Sequence, residues 1–460
     1  MKPERKIRMD KKKELFEKMP VPKALATLAI PTIISQLISM IYNLADTFFI
    51  GLTNDPYKVA ASTIAFVLFF VMCALSNLFG VGGGSLISRL LGKGQGEEAK
   101  KVSSVSFYGT IAITLLYSAV CLFFSEPILK TVGASSNTYD FAFSYTLYVI
   151  VIGGVPATLS MALSHLLRSE GYAKYASIGL GLGGVVNIIL DPVFMFLILP
   201  KGQEVTGAAM ATCLSNVISL VYFLIVFRHL RGKTVLSISP RHILKGLRYV
   251  KDILAIGIPS ALAAFLASLS NVFLNQLSSG YGDIELAALG IVKKIDMLPL
   301  NVGMGLCQGM VPLVAYNYGS GDRERMKKVI SACRIAGVAF SLICVFFFEI
   351  FAKEIVTFFI GDAKTVALGE NFLRICCLAT PLMFMNLLAT FSLQAMGKGR
   401  ESLVLSVCRQ GLVNIPLLFL LNSIFGLYGV VSTQLVADTI TLLISSFLMV
   451  KVLKSLKEEQ

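Results

Sequence analysis

The chain of 460 residues is 55% hydrophobic and only 15% charged, with a strongly positive mean hydropathy, a balance that excludes an ordinary soluble domain. Forty-one Lys and Arg against 27 Asp and Glu leave a formal net charge of +14; the charge gathers at the termini and one set of loops, which speaks for membrane topology and against a nucleic-acid partner. Nine Cys without a C-x-x-C pair, and His165, His229 and His242 without ligand spacing, argue against a disulfide or metal framework.

Residues 1–23, opening "MKPERKIRMDKKK", are basic rather than apolar. No cleavable leader is therefore expected, and the first span serves as its own anchor. Apolar stretches long enough to cross a hydrocarbon core of about 30 Å as helices follow at 24–50, 58–90, 103–124, 139–165, 174–199 and 207–227. A basic connector, "HLRGKTVLSISPRHILKGLRYVK" at 229–251, reads as an amphipathic segment on the inner leaflet. Six more spans occupy 252–278, 285–316, 331–351, 368–395, 402–421 and 427–450, before a tail at 451–460. The second and eighth exceed what a bilayer needs, so they must tilt, bend or project. Placing both termini in the cytoplasm puts most Lys and Arg inside, the orientation expected for a multi-pass protein of the cell (plasma or inner) membrane. The fold class is thus all-α and integral to the membrane, with twelve spans.

The two halves repeat. "LAIPTIISQLISMIYNLADTFFIG" from residue 28 corresponds to "IGIPSALAAFLASLSNVFLNQLSS" from residue 256, an offset of 228. Ile30-Pro31 meets Ile258-Pro259, Asn43 meets Asn271, and "LGKGQGEEAKKV" from residue 91 matches "YGSGDRERMKKV" from residue 318. The chain divides into an N-lobe at 24–228 and a C-lobe at 252–450, two pseudo-symmetric six-helix lobes. An even number of spans per repeat gives a parallel repeat about an axis along the membrane normal.

Duplication also serves as an internal control. Asn187 is repeated as Asn414, but Asp46 faces Leu274 and Asp191 faces Leu418, so both acids belong to the first lobe alone. A carboxylate in hydrocarbon costs at least ~2.5 kcal/mol unless a proton, a cation or water meets it. Asn187 and Asp191 share a helix face, and Pro192 loosens the backbone beside them. With Asp46 and the Thr212 hydroxyl they make an oxygen-rich set suited to Na+ or to a shared proton. In the second lobe, "GIVKKIDMLPLNVGMGLCQGM" places Lys293, Lys294 and Asp296 inside the eighth span. Asp296 there either pairs with a lysine near the outer surface or faces a cavity. Asn43, Asn271, Asn275, Lys294, Asp296 and Gln308 are candidate cavity or substrate residues. Gly303, Gly305 and Gly309 permit a bend or close helix contact, and Arg374 is expected to snorkel outward.

"NLADTFFIG", "GGGSLISRLLGKGQGEEAKK", "NIILDPVF", "GAAMATCLS" and "QGMVPLVAYNYGSGD" together resemble the multidrug and toxic compound extrusion (MATE) family, in its bacterial-type branch, over about residues 20 to 450. The resemblance implies a rocking antiporter that expels small cationic or amphipathic molecules in exchange for H+ or Na+, with Asp46, Asn187, Asp191 and Thr212 as coupling residues. Some relatives carry an acid midway along the seventh span; "ALAAFLASLSNVFLNQ" has none here, which moves the weight to the first lobe. No cofactor is implied beyond the coupling ion, and the expected partners are substrate and membrane lipid, with a monomer as the assembly. The alternative within the same superfamily is a flippase or exporter of an amphipathic lipid-linked or metabolite substrate. An intramembrane enzyme would need a nucleophile or metal cluster, for which the spacing is absent.

Overall fold

The computed structural model describes residues 14–53 and 55–458; the basic run at 1–13 and the last two residues of the tail lie outside the described residues. All regular structure among the described residues is helical. In hydrocarbon a helix satisfies its own backbone, so a chain this apolar has little alternative.

The first lobe contains α1 (Val21–Gly51), α2 (Pro56–Gly92), α3 (Gly96–Phe123), α4 (Tyr139–Thr146, continued as Leu147–Ile152 and Gly154–Ser169), α5 (Ala173–Pro192, continued as Val193–Ile198) and α6 (Glu204–His229). The second contains α7 (Val250–Ser279), α8 (Asp283–Ser320), α9 (Arg323–Phe359) and α10 (Ala363–Cys377 with Thr380–Met396). The remaining helical stretch begins at Gly399 and ends as the long segment Asn414–Glu458, which reverses at Gly426. There φ is 58° and ψ −138°, a conformation open to glycine alone. We number the helical residues before Gly426 α11 and those after it α12. Among the described residues nine helices are long and apolar enough to span a bilayer, and two bent pairs, α4 at 51° and α10 at 41°, raise this to eleven. The reversal at Gly426 supplies the twelfth. The expected two-lobe, twelve-helix architecture is the one observed, although α9 at 37 residues is as long as α2 and reaches well past its expected span.

Residues 228–251 sit close against the first lobe rather than simply lying on lipid. The Ser104 hydroxyl donates to the Ser237 carbonyl at 2.9 Å, Tyr108 to the Ile238 carbonyl at 3.1 Å, and Val235 N–H to Glu170 Oε1 at 2.9 Å. Exposed Leu244 and Leu247 still leave an apolar edge on this connector. The matching loops after α2 and α8 turn through Gly94 and Gly321, at φ 73° and 85°.

Close contact between the lobes concentrates in the half of the bundle that faces the connector. A methyl group on Gly257 of α7 would fall 1.9 Å from the Leu78 carbonyl oxygen of α2, and one on Gly309 of α8 would fall 2.5 Å from Ala29 Cα of α1. Only glycine allows such backbone approach. Ser85 donates to the Gln394 carbonyl at 2.6 Å and Arg168 to Gln308 at 3.1 Å across the same seam. Among the described residues, no hydrogen bond or ion pair joins the lobes in the opposite half. The bundle is closed on the connector side.

Candidate functional site

Small residues on α5 set the register of the first-lobe site. A methyl on Gly184 would lie 3.0 Å from Ile38 and 3.1 Å from Tyr42 of α1, so the missing side chain lets these helices run close together. One turn beyond Tyr42 on α1 comes Asp46; two turns beyond Gly184 on α5 comes Asp191. On its other flank α5 meets the antiparallel α6: Gly179 packs on Phe223, Gly183 on Ser219, and Asn187 reaches Thr212. The Ser219 hydroxyl locks that register by donating to the Gly179 carbonyl at 2.8 Å.

The four side chains named from sequence therefore lie together. Asp191 is wholly buried, and Asn187, Asp46 and Thr212 are 2%, 8% and 9% exposed. The Asn187 amide donates to Asp191 Oδ1 at 3.0 Å and to Thr212 Oγ1 at 3.2 Å. Asp46 is near enough to Asp191 for their charges to interact, and Tyr42 and buried Tyr145 lie within electrostatic range of both acids. Sequence reasoning missed these tyrosines because an isolated Tyr in an apolar span carries no periodic signal. Three buried oxygens, Asp46 Oδ1, Asn187 Oδ1 and Asp191 Oδ2, have no hydrogen-bond donor among the described residues. Unpaired acceptors of this kind are expensive in a low-dielectric interior, and all three are of the type a hard cation or a proton satisfies. The donor set fits a hard cation or a proton.

The other named residues are not drawn into this cluster. Asn43 donates to the Ser39 carbonyl at 2.7 Å within its own helix. Asn271, Asn275 and Lys294 are exposed. Gln308 instead accepts from Arg168 at the lobe seam. Asp296 makes no ion pair among the described residues, although Lys293, Arg409 and Asp438 lie within electrostatic range of it. Arg374 bonds to Glu370 at 2.8 Å on its own helix.

The second lobe does hold a buried acid, in the twelfth span and so beyond the repeat segments that single out Asp46 and Asp191. Asp438 of α12 accepts from Arg409 Nε at 2.7 Å, from Gln434 Nε2 at 2.6 Å and from Asn386 Nδ2 at 3.2 Å. Asn414, the repeat mate of Asn187, joins through Gln434 at 3.2 Å and accepts from Ser270 at 2.7 Å. Both carboxylate oxygens of Asp438 are satisfied, and Arg409 supplies its counter-charge. A lone charge in the middle of an apolar span was the signal for it.

Two six-helix lobes related as a repeat, with a buried polar cluster in one of them, are the architecture of a membrane transporter. The MatE family model matches twice, at residues 31–193 and 259–420, so each half of the repeat is one copy of the family unit. Multidrug export protein MepA of Staphylococcus saprophyticus is 33% identical over 425 residues, and MepA of Staphylococcus aureus strain MRSA252 is 34% identical over 426, each covering 92% of both chains. A solved structure described as the outward-facing conformation of a multidrug resistance MATE family transporter of the MOP superfamily superimposes with a TM-score of 0.88 at 24% identity, over 96% of this chain and 98% of that one. A MATE crystal structure in the straight conformation gives 0.89 at 24% identity, over 97% and 98%. This chain belongs to the MATE family.

Proposed function

We propose that this chain is a cation-coupled multidrug antiporter of the cell membrane, exporting small cationic or amphipathic compounds in exchange for H+ or Na+. The observation that carries the reading is the contrast between lobes: Asp46, Asn187 and Asp191 present three buried oxygens without donors, whereas Asp438 is saturated from within. The two relatives known as multidrug export proteins, at 33% and 34% identity, support the substrate class. Asp46, Asn187, Asp191 and Thr212 hold the coupling ion. Loading it removes net negative charge between α1, α5 and α6, which favours a different packing of those helices. With both termini and the connector in the cytoplasm, the closed seam faces inward and the state described here is open outward.

The test is dye efflux from proteoliposomes under separately imposed pH and Na+ gradients. One gradient alone should drive export, and Asp191→Asn and Asp46→Asn should each weaken coupling-ion binding about ten- to a hundredfold, the worth of one charge-assisted contact of ~1.5–3 kcal/mol. Undiminished gradient-driven efflux by correctly inserted variants would place the coupling site elsewhere.

A further inference from the structure

Arg168, at the end of α4, is 4% exposed, yet only one of its donors finds a partner among the described residues. Nη1 donates to Gln308 Oε1 of α8, while buried Nε and Nη2 have no partner there. Among the described residues no carboxylate pairs with this guanidinium, and none contributes to its electrostatic surroundings. Arg168 lines a small cavity of about 30 Å³ at the lobe seam, walled also by Gly84, Ser85, His165, Gln308 and Phe391.

A buried cation without a counter-charge is among the costliest arrangements a protein interior holds. Water would satisfy the two N–H groups, but it leaves the charge uncompensated. The carboxyl end of α4 offsets part of that charge, although its carbonyls accept neither Nε nor Nη2. The helix-ending glycines Gly171 and Gly397, at φ 88° and 77°, align α4 with α10 and set neutral Gln394 against Arg168. The equivalent side chain in lobe two is thus neutral, and there it is the Arg89 guanidinium of α2 that packs on Gly397.

We propose that Arg168 binds a small monovalent anion of chloride's size and charge in this cavity, and that the bound anion favours the state closed on the connector side. The space beside the guanidinium admits one such ion. Its walls come from both lobes, α2 and α4 on one side and α8 and α10 on the other, so rocking the lobes apart dismantles the site. A ligand that binds only one of two states shifts the balance toward it.

The experiment uses the full-length protein in lipid nanodiscs, with chloride replacing gluconate at constant ionic strength. The unfolding midpoint should rise saturably, by about 2–4 °C at chloride well above its dissociation constant, and Arg168→Gln should abolish the rise. A linear rise, or an equal rise in the variant, overturns the proposal. Should Arg168→Gln fail to fold, bromide-soaked crystals of the parent decide: an anomalous peak within hydrogen-bonding distance of Arg168 Nε and Nη2 supports it, and water alone at that position overturns it.

Discussion

Asp191 and Asp438 are both buried carboxylates, one in each lobe, and their partners give them opposite roles. Asp438 has its cation attached in Arg409, so it cannot accept another without displacing a guanidinium. Asp191 has one amide donor and a free oxygen. Removing Asp438 strands a buried Arg409, a change that costs about 3–5 kcal/mol, so Asp438→Asn should lower the thermal midpoint sharply. Removing Asp46 strands nothing; Asp46→Asn should fall within about 1 kcal/mol of the parent in stability while it loses coupling. Thermal unfolding of both variants beside efflux assays separates the two, and equal destabilisation would mean that Asp46 is structural. The first-lobe residues were legible in sequence because an acid paired with a leucine in the repeat stands out. Asp438 and Arg409 escaped because each looks like an isolated charge until α10, α11 and α12 are packed together.

At the scale of elements, glycine decides where helices touch. Gly184 brings α1 onto α5 and so builds the site, while Gly257 and Gly309 bring the lobes together. A methyl at either seam position meets backbone rather than the end of a flexible side chain, so relief requires the helices to separate. Gly257→Ala and Gly309→Ala should therefore shift the population away from the connector-closed state. Distances between spin labels on the connector-side ends of α2 and α8 should lengthen, and an unchanged distribution would show that the seam yields locally. All twelve spans were readable from apolar length, and the reversal at Gly426 falls between the expected spans 402–421 and 427–450. The breaks in α4 and α10 were not readable, since a bend within an apolar run leaves its composition unaltered.

At the scale of the whole molecule, the proposed coupling site lies in one lobe while both lobes form the seam, and α1 carries Asp46 and also packs on α8 at Ala29. Helix α1 is the physical link between the two. The charge moved per cycle then depends on the substrate. One cation moving inward against a neutral compound moving outward transfers one net charge, worth about 2.3 kcal/mol per 100 mV, or about fiftyfold in accumulation. Exchange of one cation for a monovalent cationic compound transfers none, so membrane potential alone should leave that export unchanged. Efflux of a neutral and a monocationic substrate from proteoliposomes, with potential clamped by a potassium gradient and ionophore, tests this directly. Potential should accelerate the neutral substrate and not the cationic one under a single coupling ion; acceleration of both would require two ions per cycle and hence a second cation site beyond the Asp46 and Asp191 pair.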